Sequence, residues 1–67
     1  MKLYRYLTGP DDAAFCHRVS AALSSGWELA GPATLTFDSL QGRVICGQPV
    51  VKEVPGDYGP DIKLSDY

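Results

Sequence analysis

The sequence is short of cysteine and histidine, with two cysteines and one histidine among 67 residues, and it has no long hydrophobic run. Two cysteines are too few for the disulfide frameworks that stabilise small secreted domains. Residues 1–6 lack the apolar stretch of a signal peptide, and no segment is long enough to span a membrane. We therefore expect a cytoplasmic protein with reduced thiols and no membrane segment.

The sequence also lacks an excess of positive charge. Six basic residues stand against eight acidic ones, which gives a formal net charge of −2, and the basic residues are scattered along the chain. Nucleic-acid-binding proteins usually concentrate positive charge on one face or stripe. The composition thus argues against nucleic acid and anionic membrane surfaces as partners.

The chain is long enough for one small domain. Residues 55–67 have the composition of turns and of a flexible tail, so residues 1–54 must build the core. Domains of this size are marginally stable alone and often depend on disulfides, a metal or a partner subunit. We expect oligomerisation to supply the missing stability.

The pattern along the chain predicts one strand and one helix in its first half. Residues 2–8 suit a strand, and residues 10–25 suit a helix capped by Thr8 or Gly9 and ended by Gly26. The apolar residues of this helix follow the spacing of one buried stripe. They are Phe15, Val19, Ala22 and Leu23.

Two further strands are expected in the second half. Residues 27–37 alternate, which places Trp27, Leu29, Leu35 and Phe37 on a buried face, and Gly31-Pro32 interrupts them at an edge or a bulge. Residues 43–54 alternate poorly. Either both faces of this strand are covered, or a bulge near residues 47–49 switches the register, and we favour the bulge with Pro49 unpaired.

The element order β-α-β-β predicts an α+β fold. A right-handed crossover puts the last strand in the middle of a three-stranded antiparallel sheet of order 1-3-2, with the helix on one face, which is half of a ferredoxin-like unit. The predicted core collects the apolar residues of the helix stripe and the alternating strand. Its members are Phe15, Val19, Leu23, Trp27, Leu29, Leu35 and Phe37.

The opposite face of this sheet has no helix to cover it. The strand parities assign Tyr4, Tyr6, Thr34 and Thr36 to that face. We expect a second copy of the chain there, in a homodimer without catalytic activity. The alternative is single-stranded nucleic acid stacked on the two tyrosines, with Lys2 close by. A protein interface is favoured because the chain is acidic and tyrosine is enriched at interfaces.

Cys16, His17 and Cys46 are the only soft metal ligands and the only cysteine–histidine set for catalysis. A structural zinc site needs four ligands. Cys16 and His17 project about 100° apart on a helix, so they do not converge on a metal or act as a nucleophile–base pair. We expect two small hydrophobic cysteines and a surface histidine, with no catalytic residue, metal or cofactor.

Several separated blocks of the sequence carry a family likeness. They are KLYRYLTGPDD at residues 2–12, FCHRV at 15–19, GWEL at 26–29 and VICGQ at 44–48. Together they resemble the bacterial domain-of-unknown-function family 1737 over residues 1 to about 54. The resemblance implies a small bacterial or phage-associated domain and implies no activity, since the family is named for lacking a known function.

Overall fold

The computed structural model describes residues 1–67 as an α+β fold with one α-helix and a four-stranded antiparallel sheet. The elements follow in the order β1 Lys2–Pro10, α1 Ala13–Ser24, β2 Glu28–Leu29, β3 Thr34–Asp38 and β4 Arg43–Glu53, with a final 3₁₀ turn at Leu64–Asp66. Neither the length nor the apolar content of any helix is sufficient for crossing a membrane.

The last strand, β4, is the centre of the sheet. β1 runs antiparallel along one edge of β4, and β2 and β3 both pair with its other edge. The expected three strands of order 1-3-2 are therefore corrected to four. The second expected strand is divided in two, because the pairing stops at residues 30–33, around Gly31-Pro32.

The bulge expected near residues 47–49 is absent, and that prediction was wrong. β1 and β4 pair without a break, and Pro49 lies opposite Tyr6. The Pro49 carbonyl accepts from Ala30 N at 3.0 Å, so it points to the β2–β3 edge. The nitrogen of a strand residue points to the same edge as its carbonyl. The N–H that proline lacks would therefore face the break between β2 and β3, where the loss costs no ladder bond.

The irregular pairing lies in the outer strand, between β2 and β3. Between the pairs Leu29↔Val50 and Thr34↔Gly47, the outer strand has four residues, 30–33, and β4 has only two, Gln48 and Pro49. The buried Gln48 amide closes this break, because its Nε2 donates to the carbonyls of Gly31 and Pro49, both at 3.0 Å. The buried side chain thus satisfies the Gly31 carbonyl, which lies in the interrupted segment, and adds a second hydrogen bond to the Pro49 carbonyl, which already accepts from Ala30 N.

The helix begins later than the sequence predicts. Pro10 still pairs with Ile45 in the sheet, and Asp12 is the N-cap, with its carboxylate accepting from Phe15 N at 3.0 Å. The predicted start at residue 10, capped by Thr8 or Gly9, was wrong because aspartate is a strong N-cap and the strand pairing extends to Pro10. The end at Gly26 is as predicted.

Gly26 ends the helix in a left-handed conformation, with a φ of 98°. Trp27 N donates to Ala22 O at 3.0 Å, and Gly26 N donates to Leu23 O at 3.2 Å, the two bonds of a Schellman motif. The motif satisfies the last helical carbonyls and turns the chain so that Trp27 enters the core.

The core lies between α1 and one face of the sheet. Its buried members are Leu3, Leu7, Ala22, Trp27 and Val50, and Phe15 and Val19 pack against them from the helix. Trp27 is 2% exposed, with the Arg5 guanidinium 5.6 Å and the Lys52 ammonium 6.0 Å from its ring centre. The charged side chains cover the indole with their stems and add cation–π attraction.

Four of the residues predicted for the core lie at the surface instead: Leu23, Leu29, Leu35 and Phe37. The register places Leu35 beside Cys46 and Phe37 beside Val44, on the same sheet face as the core, so the predicted face was right. The prediction that the helix covers these residues was wrong. A 12-residue helix spans about 18 Å, whereas an 11-residue strand spans about 37 Å. Leu23 lies at the edge of the helix stripe.

The segment after β4 is packed rather than free. Ile62, Leu64 and Tyr67 lie against the core, and Lys52 Nζ donates to the Tyr67 carbonyl at 3.2 Å. This differs from the flexible tail expected over residues 55–67. The apolar residues Ile62, Leu64 and Tyr67 explain the difference, because the short helix leaves part of the core open to them.

Replacing Trp27 by alanine tests the position of the core. Trp27→Ala is expected to lower the free energy of unfolding by about 3–5 kcal/mol, since it empties a buried site in a small domain. Urea denaturation followed by circular dichroism measures the change. Leu40→Ala is the control, because Leu40 is 97% exposed and should change stability by less than about 0.5 kcal/mol. A Trp27→Ala protein with an unchanged midpoint would contradict this placement.

Candidate functional site

The sheet face opposite α1 carries the four residues assigned to it from the sequence. Tyr4 and Tyr6 on β1 lie opposite Val51 and Pro49 of β4, and Thr34 and Thr36 on β3 lie opposite Gly47 and Ile45. Directly opposed residues share a face. We call this surface the open face. Apart from Gly47 and Pro49, its central residues have aromatic or β-branched side chains, and no helix lies over them. The four residues are Tyr4, Tyr6, Thr34 and Thr36.

One hydrogen bond crosses the open face from edge to edge. The Tyr6 hydroxyl is 2.5 Å from Thr34 Oγ1, which joins β1 to β3 over the central strand. Gly47 lies beneath this bond. A Cβ at Gly47 would stand 2.7 Å from Thr34 Oγ1 and closer still to the Tyr6 hydroxyl. The glycine is therefore required by the close approach of the tyrosine ring.

Charged residues lie at both ends of the open face. Lys2 is opposite Glu53 at one end, with Glu28 on the neighbouring strand, and Asp38 is opposite Arg43 at the other end. The two ends of the open face together carry two positive and three negative charges. Each end carries both signs, so the face has no basic stripe.

A second exposed surface lies on the helix side of the β3–β4 hairpin, beyond the reach of α1. We call it the hairpin strip, made of Leu35, Phe37 and Val44. Leu35 is 69% exposed and Phe37 is 64% exposed. Alternation in the sequence signals that these residues share a face, but it carries no information about how far the helix extends. Sequence reasoning therefore assigned them to the core.

The three sulfur- and imidazole-bearing residues do not form a metal site. Cys16 is exposed and Cys46 is buried, and both thiols are free; His17 lies on the exposed side of α1. No three histidine, cysteine or carboxylate side chains converge on a position that could hold a metal. Burial raises the pKa of the Cys46 thiol above its ordinary value, and the Asp11 carboxylate raises it further. The Cys46 thiol is thus a poor nucleophile at neutral pH.

The fold and this open face define a small α+β domain with one uncovered sheet surface. The chain belongs to the family described as Domain of unknown function (DUF1737), whose model matches residues 1–53. This confirms the resemblance found in the sequence blocks. The segment that packs Ile62, Leu64 and Tyr67 on the core lies outside the matched residues. No curated protein and no solved structure matched the chain.

Replacing Gly47 tests the crossing between Tyr6 and Thr34. Gly47→Ala is expected to cost about 1–3 kcal/mol of unfolding free energy, because the new methyl group displaces the tyrosine ring. In a Tyr6→Ser background the same change should cost less, since the ring is gone. A double-mutant cycle by urea denaturation measures the difference. Equal costs in both backgrounds would show that Gly47 is not held by Tyr6.

The two cysteines are expected to differ in reactivity. Iodoacetamide should alkylate the exposed Cys16 about tenfold faster or more than Cys46 at pH 7–8. An ordinary cysteine has a pKa of about 8.5, and its alkylation rate increases around that pH. Because the pKa of Cys46 is raised, its alkylation rate should increase only at a higher pH. Peptide mass spectrometry measures both sites. In denaturant the rates should converge, and equal rates in the folded protein would contradict the assignment.

Proposed function

We propose that this domain is a non-catalytic interaction module that forms a homodimer through the open face. The observation that carries the proposal is the exposure of two neighbouring tyrosines on an uncovered sheet: Tyr4 is 56% exposed and Tyr6 is 46% exposed. The helix and the C-terminal segment both pack on the opposite face. Exposed aromatic patches on a sheet are typical of protein interfaces.

A second copy of the chain fits this surface better than a partner of one charge sign. Lys2 and Glu53 at one end, and Asp38 and Arg43 at the other, let a twofold-related copy pair opposite charges. The buried core cluster has only five residues, so burial of the open face in a dimer would add to the stability of a small domain.

The element order supports the same proposal. If β2 and β3 are counted as one interrupted strand, β1 to β4 follow the β-α-β-β order of half a ferredoxin-like unit, whose other half can come from a second chain. The free thiols of Cys16 and Cys46 fit a reducing compartment, and the proposal places the module in the cytoplasm.

Single-stranded nucleic acid is the second candidate for the open face. Tyr4 and Tyr6 offer stacking platforms and Lys2 shares their side of β1, which favours this partner. The charges disfavour it, since Glu28, Asp38 and Glu53 lie on the same face. Nucleic-acid binding needs net positive charge along the path of the phosphates. We therefore keep it as an outcome that the experiment must separate from dimerisation.

Analytical ultracentrifugation tests the dimer. At about 100 µM the unmodified chain should sediment as a dimer, and Tyr4→Ser should raise the dissociation constant at least about tenfold, as expected for an aromatic interface anchor. Tyr58→Ser is the matched control, because Tyr58 is also more than half exposed (67%, against 56% for Tyr4) but lies after β4. It should leave the dissociation constant unchanged.

Three results would overturn the open-face dimer. A strict monomer at about 100 µM removes it. A dimer insensitive to Tyr4→Ser but weakened by Phe37→Ser moves the interface to the hairpin strip. Salt-dependent binding of a short oligonucleotide by the monomer, lost in Tyr4→Ser, replaces the dimer with nucleic-acid binding.

A further inference from the structure

A cavity of about 250 Å³ lies on the helix side of the sheet, between β1, the C-terminal half of α1 and the C-terminal segment. Its polar and aromatic walls come from elements far apart in sequence, with leucine and alanine side chains between them. The residues that matter are Arg5, Arg18, Ser25, Trp27, Ser65 and Tyr67. The cavity is separate from the open face, because Arg5 alternates with Tyr4 and Tyr6 along β1.

The side chains that line this cavity include two guanidinium groups and no carboxylate. Neither arginine forms an ion pair; the one ion pair of the chain joins the Met1 amino group to Glu53. Arg18 Nη1 donates to Thr8 O at 2.7 Å, and Arg5 lies over the Trp27 ring. A guanidinium group has five N–H donors, so most donors of both groups remain free for a ligand.

The helix end does not use these donors. The carbonyls of Ala21, Ala22 and Leu23 already accept from the backbone N–H groups of residues 25–27. The Ser25 and Ser65 side chains add hydroxyls to the polar part of the wall. Tyr67 and Ala21 give the accessible apolar part, since Trp27 and Leu7 are only 2% and 4% exposed. The cavity therefore offers guanidinium donors beside an apolar surface.

We propose that this cavity binds a small organic carboxylate with a flat apolar body. The planar fork of an arginine matches a carboxylate by two parallel hydrogen bonds. The apolar wall matches an aromatic or short aliphatic body, which inorganic phosphate lacks. A volume of about 250 Å³ is below the range for drug-sized ligands and suits a molecule the size of benzoate.

The C-terminal segment makes this site a property of the chain beyond its family region. Ser65 and Tyr67 form one wall, and the family match ends at residue 53. Lys52 Nζ holds the Tyr67 carbonyl at 3.2 Å, which fixes that wall against β4. The proposal is independent of the dimer, because the cavity opens on the face opposite Tyr4 and Tyr6.

Trp27 is the only tryptophan and lines the cavity, so its fluorescence reports binding directly. The full chain is titrated with sodium benzoate at constant ionic strength, and in parallel with inorganic phosphate and with benzyl alcohol, which has the ring without the carboxylate. Benzoate should give a saturable change with a dissociation constant below about 10 mM. Phosphate and benzyl alcohol should bind at least about tenfold more weakly.

Charge-removing variants locate the site. Arg18→Gln and Arg5→Gln should each weaken benzoate binding about tenfold, the loss expected for a hydrogen bond between charged groups. Arg43→Gln, which removes the same charge at the hairpin, should leave benzoate binding unchanged. Circular dichroism checks that each variant is folded, and Arg18→Gln remains informative if Arg5→Gln unfolds, since Arg18 is exposed.

Three outcomes would overturn the proposal. The first is no saturable fluorescence change with benzoate up to about 10 mM in the folded chain. The second is an equal response in Arg18→Gln, Arg43→Gln and the unmodified chain, which would place the effect outside the cavity. Phosphate binding as tight as benzoate would also contradict it, since the apolar wall would then contribute nothing.

Discussion

The difference in length between the helix and the central strand governs the rest of this structure. α1 has 12 residues and β4 has 11, so the strand is about twice as long as the helix in space. Where the two overlap, Leu3, Trp27 and Val50 are buried. Where β4 continues past the helix, the hairpin strip is exposed. The C-terminal segment covers part of the remaining gap. Burial, exposure and the cavity thus all follow from this mismatch.

The central strand β4 is regular, and the interruption of the sheet lies in the outer strand, between β2 and β3. Pro49 has no N–H to donate, and the outer strand is broken at that point, so β1 keeps an unbroken ladder. Gln48 then repairs the break with its side-chain amide. A proline in a central strand is tolerated here for the same reason that it is tolerated at an edge, because no donor is needed on that side.

The sequence predicted correctly where the helix ends and which sheet face the residues of β1 and β3 occupy. It did not predict how much of the sheet the helix covers. Gly26 as helix stop and the central position of the last strand follow from chemistry within a few residues and from a topological rule. The exposure of Leu35 and Phe37 depends on which part of the sheet a short helix reaches, which no alternation pattern encodes. The Arg5–Arg18 cavity needs β1, α1 and residues 65–67 together, so sequence spacing gives no signal for it. The predicted helix start was also wrong, because strand pairing extends to Pro10 and the helix is capped only at Asp12.

β1 connects the two surfaces that we propose to be functional. Its successive residues point to opposite faces, so Tyr4 and Tyr6 belong to the open face while Arg5, between them, lies over Trp27 beside the cavity. The strand is fixed on one side only, by β4, and its outer edge is free. A ligand that binds the Arg5 guanidinium would contact the strand that also carries Tyr4 and Tyr6. The two proposed binding surfaces therefore lie on opposite faces of the sheet but share one backbone segment, β1.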